Sequence, residues 1–546
     1  MKVYEAIGQG MAHEGVDAVF GLMGDGNLSL IPYITDDLGM SFYGARHEGG
    51  AVAMADGYAR VSGRVGVASF TQGPGLTNAL TALVSAVRGR TPMVVLAGDT
   101  PARVRGLPQD IEQPPIFAAL GLPTQQITPE TVGPAVAEAF RRARAERTPI
   151  VLNLPTDMQE EPCTWAPPEA DVVVPAAWSD DDPGPDLSAA VEALSGAERP
   201  VLIAGRGAMM AGAREDIVAL ADRTGALLAT SLPVKSWFAG HPWEVGIAGG
   251  FASELGRRLI GEADCVVSFG ASLNHFTSRG GTLFGAGATI VQVDADPSAF
   301  GRYYETSVHV TGDAGQVARR LREALPASAG YRTDAIAEEI AAARGGADLV
   351  DEGEPGAMDP RILSSLIDRA VPQDRALVVD GGHFMGFPAM HMEVPDPTQF
   401  VFTLDFGSIG LGLGAAIGAA VARPDRITVA AIGDGGLLMS LGELDTAVRY
   451  GLPILVVVYN DEAYGAEMHF LRMLGRPDEE SLFAVPPLGD VARSLGADGF
   501  TVTGPDDLRE LPARLERLDG PLVLDCRITR EVRAVWLEEA FERGTH

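Results

Sequence analysis

The chain has 546 residues, 46% of them hydrophobic and 21% charged, with 42 Lys and Arg against 73 Asp and Glu, a formal net charge of −31. That length predicts about three domains of the usual 100–200 residues, and the composition is that of a folded globular protein. The acidity argues against nucleic acid as a partner and against adhesion to an anionic membrane, since both need a basic surface.

Three widely spaced cysteines, Cys163, Cys265 and Cys526, offer neither a disulfide framework nor zinc spacing and fit a reducing compartment. No basic stretch followed by an apolar core opens the chain, and no apolar run is long enough to span a bilayer. The expected location is cytoplasmic.

In chain order, VGVASF (65–70) and PMVVLAG (92–98) come first, each followed by a Gly- or Ala-rich stretch of helical character. A Pro- and acid-rich segment over 160–185 reads as a linker. PVLIAG (200–205), DCVVSFG (264–270) and TIVQVD (289–294) form a central block, and GGADLVDEGEPGAMDP (345–360) is a second linker. ALVVD (376–380), ITVAAIG (427–433) and PILVVVYN (453–460) complete the chain. Short apolar strands alternating with helices predict an α/β protein of three doubly wound parallel-sheet domains, at 1–165, 186–344 and 360–546. The first and third blocks repeat one order. Val65 to Ile427 and Asp99 to Asp461 both differ by 362, which suggests two copies of one domain around a third.

Gly433-Asp434-Gly435-Gly436 follows a strand and opens a helix, so its backbone N–H groups face a phosphate. Alone it is a weak signal. The next strand ends in Tyr459-Asn460-Asp461, and neighbouring parallel strands end side by side, where open α/β sheets bind ligands. An acid on the first loop and an Asn or Asp on the second can share one Mg²⁺. A second GDG, Gly24-Asp25-Gly26, lacks that partner: 27 positions after Asp25 stands Val52, whereas 27 after Asp434 stands Asp461.

The segment GDGGLLMSLGELDTAVRYGLPILVVVYND resembles the diphosphate and metal signature of thiamine diphosphate enzymes of the acetolactate synthase, pyruvate decarboxylase and benzaldehyde lyase superfamily. The resemblance implies Mg²⁺ held by Asp434, by Asp461 with Asn460 as the alternative, and by the Ala463 carbonyl. Arg46-His47-Glu48-Gly49-Gly50-Ala51 is similar to that family's catalytic glutamate motif. It makes Glu48 the acid that engages N1′ of the aminopyrimidine and so helps remove the C2 proton of the thiazolium. Phe406-Gly407-Ser408-Ile409-Gly410 resembles the pyrimidine-gripping segment, with Ile409 as the wedge that bends the cofactor. Gly382-His383 is similar to a diphosphate contact. Gln72-Gly73-Pro74-Gly75 with Asn78 is similar to the loop facing the pyrimidine.

The substrate side is less decisive. Asp25 stands in a segment resembling a decarboxylase loop, and Glu467 lies where decarboxylases place a catalytic glutamate. The paired histidines of those enzymes are missing, however, and Gln113 resembles the glutamine of acetolactate synthases and aldehyde lyases. Phe470 replaces the Trp that sets specificity in acetolactate synthases. His469 is either a proton shuttle or an exposed helix-end residue. Gly205-Arg206-Gly207 is a partial glycine signature, and a bridging central domain is preferred to an FAD site. The implied function is decarboxylation of a pyruvate-like 2-oxo acid with ligation to an aldehyde or keto acceptor. A simple decarboxylase or an acyloin or aldehyde lyase is the alternative, and a non-catalytic paralogue is disfavoured by the intact Glu48, Asp434 and Ile409. The resemblance also implies a homodimer or homotetramer whose sites are shared between subunits.

Overall fold

The computed structural model describes residues 1–104, 106–167, 184–344 and 349–537. Most of the first expected linker, residues 168–183, and residues 345–348 of the second lie outside the described residues.

Each block builds one six-stranded sheet whose ladders are all parallel. The first holds β1 (Ala18–Gly21), β2 (Ser41–Gly44), β3 (Gly66–Phe70), β4 (Met93–Asp99), β5 (Thr124–Gln126) and β6 (Pro149–Pro155), in the order β2-β1-β3-β4-β6-β5. The second holds β7 (Pro200–Ala204), β8 (Leu227–Thr230), β9 (Glu244–Ile247), β10 (Cys265–Phe269), β11 (Thr289–Asp294) and β12 (Val308–Thr311), ordered β12-β11-β10-β7-β8-β9. The third holds β13 (Arg375–Val379), β14 (Phe400–Phe402), β15 (Ile427–Gly433), β16 (Ile454–Asn460), β17 (Asp498–Val502) and β18 (Leu522–Arg527), ordered β14-β13-β15-β16-β18-β17. The apolar runs become inner strands because helices cover both faces: every residue of β3, β7, β10, β13 and β16 is buried.

The first and third sheets share one strand order, which is the structural form of the sequence repeat. The ladders refine its register. Gly66 pairs with Met93, 27 positions on, while Thr428 pairs with Ile454, 26 positions on. The third domain is therefore one residue shorter between these strands, and Asp99 stands level with Asn460 rather than with Asp461.

The first and third domains of the chain meet through two small-residue helices, Glu48–Ser62 and Gly412–Ala422. A Cβ on Gly418 would lie 1.8 Å from the Met54 carbonyl oxygen, and one on Gly57 would lie 2.0 Å from that of Ala415. Only glycine lets the backbones approach so closely. In the central domain the strand order turns between β7 and β10. A Cβ on Gly205 would sit 2.3 Å from the Gly270 carbonyl oxygen, so close packing accounts for that glycine. Arg206 reaches the first domain by donating to the Gly89 carbonyl at 2.6 Å. No helix among the described residues is long and apolar enough to cross a membrane.

Candidate active site

The three middle strands of the third sheet, β13, β15 and β16, end side by side around a cavity of about 270 Å³. Its floor is the β15 turn. Strand β15 stops at Gly433, and Asp434 begins the helix Asp434–Met439. The Gly435 N–H donates to Asp434 Oδ1 at 2.8 Å, while Asp434 Oδ2 is buried with no partner among the described residues. A buried, unpaired carboxylate oxygen is costly unless something cationic meets it.

The end of β16 supplies the second acid. Glu462 has φ 54°, a left-handed backbone uncommon for a residue with a side chain. That turn leaves both Asp461 and Ala463 lining the cavity. Asp461 Oδ1 accepts the Ala463 N–H at 3.2 Å. The bridge to the next segment uses Tyr464 N–H to Ser481 and Phe483 N–H to the Glu462 carbonyl, so the Ala463 carbonyl is not spent on it. Burial pushes Asp434 up to about 6, and burial together with the charge of Asp434 pushes Asp461 up to about 8. Two acids that resist ionising beside each other, one with an orphaned oxygen, suit a divalent cation with oxygen ligands. Asn460 is used elsewhere: its Nδ2 donates to Asp525 at 2.6 Å and its Oδ1 accepts the Glu462 N–H at 3.2 Å. Of the two alternatives, the available oxygens belong to Asp461. No group of three or more His, Cys, Asp or Glu side chains that could hold a metal occurs among the described residues, so further ligands would be carbonyls, water or a phosphate.

The wall beside β13 carries Gly382, His383 and, from the 404–410 segment, Gly407 and Ile409. Gly407 has φ 78° and closes a short turn, and Ile409 packs over Gly381, where a Cβ would lie 3.3 Å from its Cγ2. Ser408 Oγ is buried without a partner. Asp380, which sequence reasoning passed over, holds this segment from below. Its fully buried carboxylate accepts from the Gly381 N–H at 2.9 Å, the Gly410 N–H at 2.9 Å and the Thr403 hydroxyl at 3.1 Å. The available signal was an acid closing the apolar run ALVVD.

His383 is buried, and its Nε2 accepts the Ala534 N–H at 2.9 Å, which leaves the proton on Nδ1. Burial holds it well below the usual imidazole range. His469 is not the exposed helix-end residue considered above. Its ring lies 4.3 Å from that of His383, it is buried, and burial lowers it to about 4. Trp536 donates to the His383 carbonyl at 3.3 Å and closes one side of the cavity, another residue that no local motif announced. Glu467 lines the cavity and is exposed.

The remaining expected residues form a second group, at the strand ends of the first sheet. Glu48 is buried at the first position of its helix, and Asn78 Nδ2 donates to its Oε2 at 3.0 Å. Gly73 has φ 60°, and its N–H donates to Gln113 Oε1 at 3.1 Å. Gln113 Nε2 donates to the Gly98 carbonyl at 2.9 Å and to Asn153 at 2.8 Å, so this buried amide is occupied in holding the loop. Gln72 donates to Gln109 at 2.8 Å, and Asp25 is exposed at the start of a short helical turn. Among the described residues, none of the first domain lines the third-domain cavity. Within one chain the two groups are separate.

Comparison with known proteins matches this division. Residues 1–120 match the N-terminal TPP binding domain of thiamine pyrophosphate enzymes, 187–321 their central domain and 380–526 their C-terminal TPP binding domain. The chain belongs to the thiamine pyrophosphate enzymes. Among its relatives in this family, it is 30% identical to the sulfoacetaldehyde acetyltransferase of Castellaniella defragrans, covering 100% of this chain and 96% of that protein. It is also 30% identical to the acetolactate synthase large subunit of Parasynechococcus marenigrum, over 96% of this chain and 87% of that one. The fold of the Rhodococcus jostii RHA1 thiamine diphosphate-dependent 4-hydroxybenzoylformate decarboxylase superposes with a TM-score of 0.78 at 22% identity, over 97% of this chain and 99% of that chain. Three parallel α/β domains in this order are thus the architecture of a thiamine pyrophosphate enzyme, and thiamine diphosphate is the cofactor its outer domains bind.

Proposed function

We propose that this thiamine diphosphate enzyme decarboxylates a pyruvate-like 2-oxo acid and joins the remaining fragment to a second carbonyl compound, an aldehyde or a keto acid. The observation that carries the reading is the paired Asp434 and Asp461 at the strand ends, with an unmet carboxylate oxygen, in one cavity with Ile409. Asp434, Asp461 and the Ala463 carbonyl would hold Mg²⁺. The Gly436 N–H, with Gly433, Gly435, His383 and Gly382 around it, would receive the diphosphate. Bound there, thiamine diphosphate supplies the electron sink for loss of CO₂. Main-chain groups of Gly407 and Ile409, with Ser408 beside them, would orient the pyrimidine, and the Ile409 side chain would keep the two rings bent together. Glu48 would hold a proton at N1′ of the pyrimidine. Glu467 and Asp25 would move protons at the substrate, and Gln113 steadies the loop that carries Gly73.

The acetolactate synthases among the relatives support ligation over simple decarboxylation. Simple decarboxylation or acyloin cleavage is the competing outcome, suggested by the acids Asp25 and Glu467. Feeding a panel of 2-oxo acids with and without aldehydes and identifying products tests this. Acyloins or acetolactate-like products support the reading, and free aldehyde alone refutes it.

The reading includes a homodimer at least, or a homotetramer, in which Glu48 of one copy serves the cavity of another. The absence of any described first-domain residue from the cavity supports this, as does the exposed Tyr464 ring in its lining. A closed interface would also keep water from the reacting atoms. Mixing Glu48→Gln with Asp434→Ala subunits should restore part of the activity, because one site of a mixed dimer carries neither change. No recovery despite proven exchange would refute sharing. A cytoplasmic location fits the three free cysteines.

A further inference from the structure

The loop that delivers Glu48 is held by the third domain of its own chain. Strand β2 is an edge strand and ends at Gly44, and residues 45–47 lead directly into the Glu48 helix. The Gly44 N–H donates to the Tyr450 hydroxyl at 2.8 Å, and that hydroxyl donates to the Phe42 carbonyl at 3.0 Å. The next free N–H groups, those of Arg46 and His47, end on one carboxylate. Glu443 Oε1 accepts both, at 3.2 and 3.0 Å, and its Oε2 accepts Arg46 N–H at 3.2 Å and the Thr446 hydroxyl at 2.9 Å. Glu443 is only 3% exposed. The nearby Arg46–Asp445 pair, by contrast, is half in solvent and weak. Gly50 completes the arrangement, since a Cβ there would lie 2.2 Å from Glu443 Oε1. The two glycines after Glu48 thus have different uses: Gly49 donates to the His47 ring, and Gly50 clears the path of a carboxylate from another domain.

We infer that Glu443 is the positioning residue for Glu48: by binding the N–H groups of Arg46 and His47 it sets, from the third domain, where the Glu48 carboxyl stands. The inference rests on the role proposed for Glu48. A carboxylate suits the task because a single rigid group accepts two consecutive backbone donors. Left unpaired at a buried junction, those donors would pull the loop toward water or other acceptors. Displacement of a reacting group by even an ångström is enough to slow a proton transfer.

The test is hydrogen–deuterium exchange at C2 of bound thiamine diphosphate in the full-length holoenzyme, read by NMR after acid quench, with cofactor affinity by calorimetry alongside. Glu443→Ala should slow exchange at least about 10-fold while the cofactor Kd stays within about threefold, because the diphosphate and metal contacts are untouched. Glu443→Gln should restore part of the rate, since its amide oxygen can still accept both N–H groups while its nitrogen donates to Thr446 and gives up only the second Arg46 contact. Gly50→Ala, which keeps Glu443 but displaces it, should slow exchange like Glu443→Ala, and it decides the matter if Glu443→Ala does not fold. Wild-type exchange in Glu443→Ala or in Gly50→Ala, or no recovery in Glu443→Gln, would overturn the inference. Glu48→Gln separates the two levels. If it slows exchange and Glu443→Ala does not, only the positioning role is lost; if Glu48→Gln exchanges at the wild-type rate, both fall.

Discussion

Replacing Gly418 by alanine should loosen the joint between the first and third domains. The new Cβ would lie 1.8 Å from the Met54 carbonyl oxygen and 2.7 Å from the Tyr58 nitrogen. Carbon atoms in contact need about 3.5 Å, so the helices would have to part by more than an ångström. Neither opposing atom is a flexible side-chain end. Both belong to the backbone of the Glu48–Ser62 helix and cannot yield alone. Overpacking of this kind costs about 1–3 kcal/mol, and the backbone clash puts Gly418 at the upper end. Alanine returns about 1 kcal/mol of helix propensity, which leaves a net loss of about 2 kcal/mol. Denaturant unfolding followed by circular dichroism measures the loss. Gly418→Ala should also lose activity below its unfolding transition, because the displaced helix begins at Glu48. A Gly418→Ala protein as stable as wild type would refute the close crossing on which the domain arrangement depends.

Other outcomes follow from the site. Asp434→Ala removes one of the two carboxylates proposed to hold Mg²⁺, so thiamine diphosphate affinity in Mg²⁺ should fall at least about 10²-fold by calorimetry. Unchanged affinity would dismiss the assigned metal site. Asp461→Ala should weaken the cofactor more than Asn460→Ala does. Asn460→Ala should instead lower stability by about 1–3 kcal/mol, because it strips the buried Asp525 of a hydrogen bond. The reverse ranking would make Asn460 the ligand. In the central domain, burial raises Glu244 from 4.5 to about 7, and its side chain is 14% exposed. A folded-state pKa above the unfolded one favours the protonated form. Its stabilising contribution is therefore full below about pH 4.5 and is lost as pH rises through 7. Glu244→Gln should be more stable than wild type at pH 8 by about 2–3 kcal/mol, with the gain vanishing near pH 5. Parallel stability profiles for the two proteins would exclude this.

Local pattern in the chain was enough to mark eight inner strands of three parallel sheets. Runs such as Val65–Phe70 and Ile454–Asn460 are mostly apolar because both faces of a parallel sheet are covered, and that demand is visible residue by residue. The repeat was legible for the same reason, and identical strand orders in the first and third sheets bear it out, though its register slips by one residue at β16. Asp434 and the glycines around it were legible because a turn that exposes backbone N–H groups needs those residue types. What stayed hidden depends on atoms far apart in the chain. Glu443 meets Arg46 and His47 across nearly 400 positions, and nothing in the segment around it distinguishes it from a solvated helix acid. His469 became a buried neighbour of His383 only when the β16 loop folded back against the β13 turn. The choice between Asn460 and Asp461 was open in the sequence because adjacent residues of a strand face opposite ways. It was decided by Asp525 capturing one side chain and by the left-handed turn at Glu462 leaving the other in the cavity.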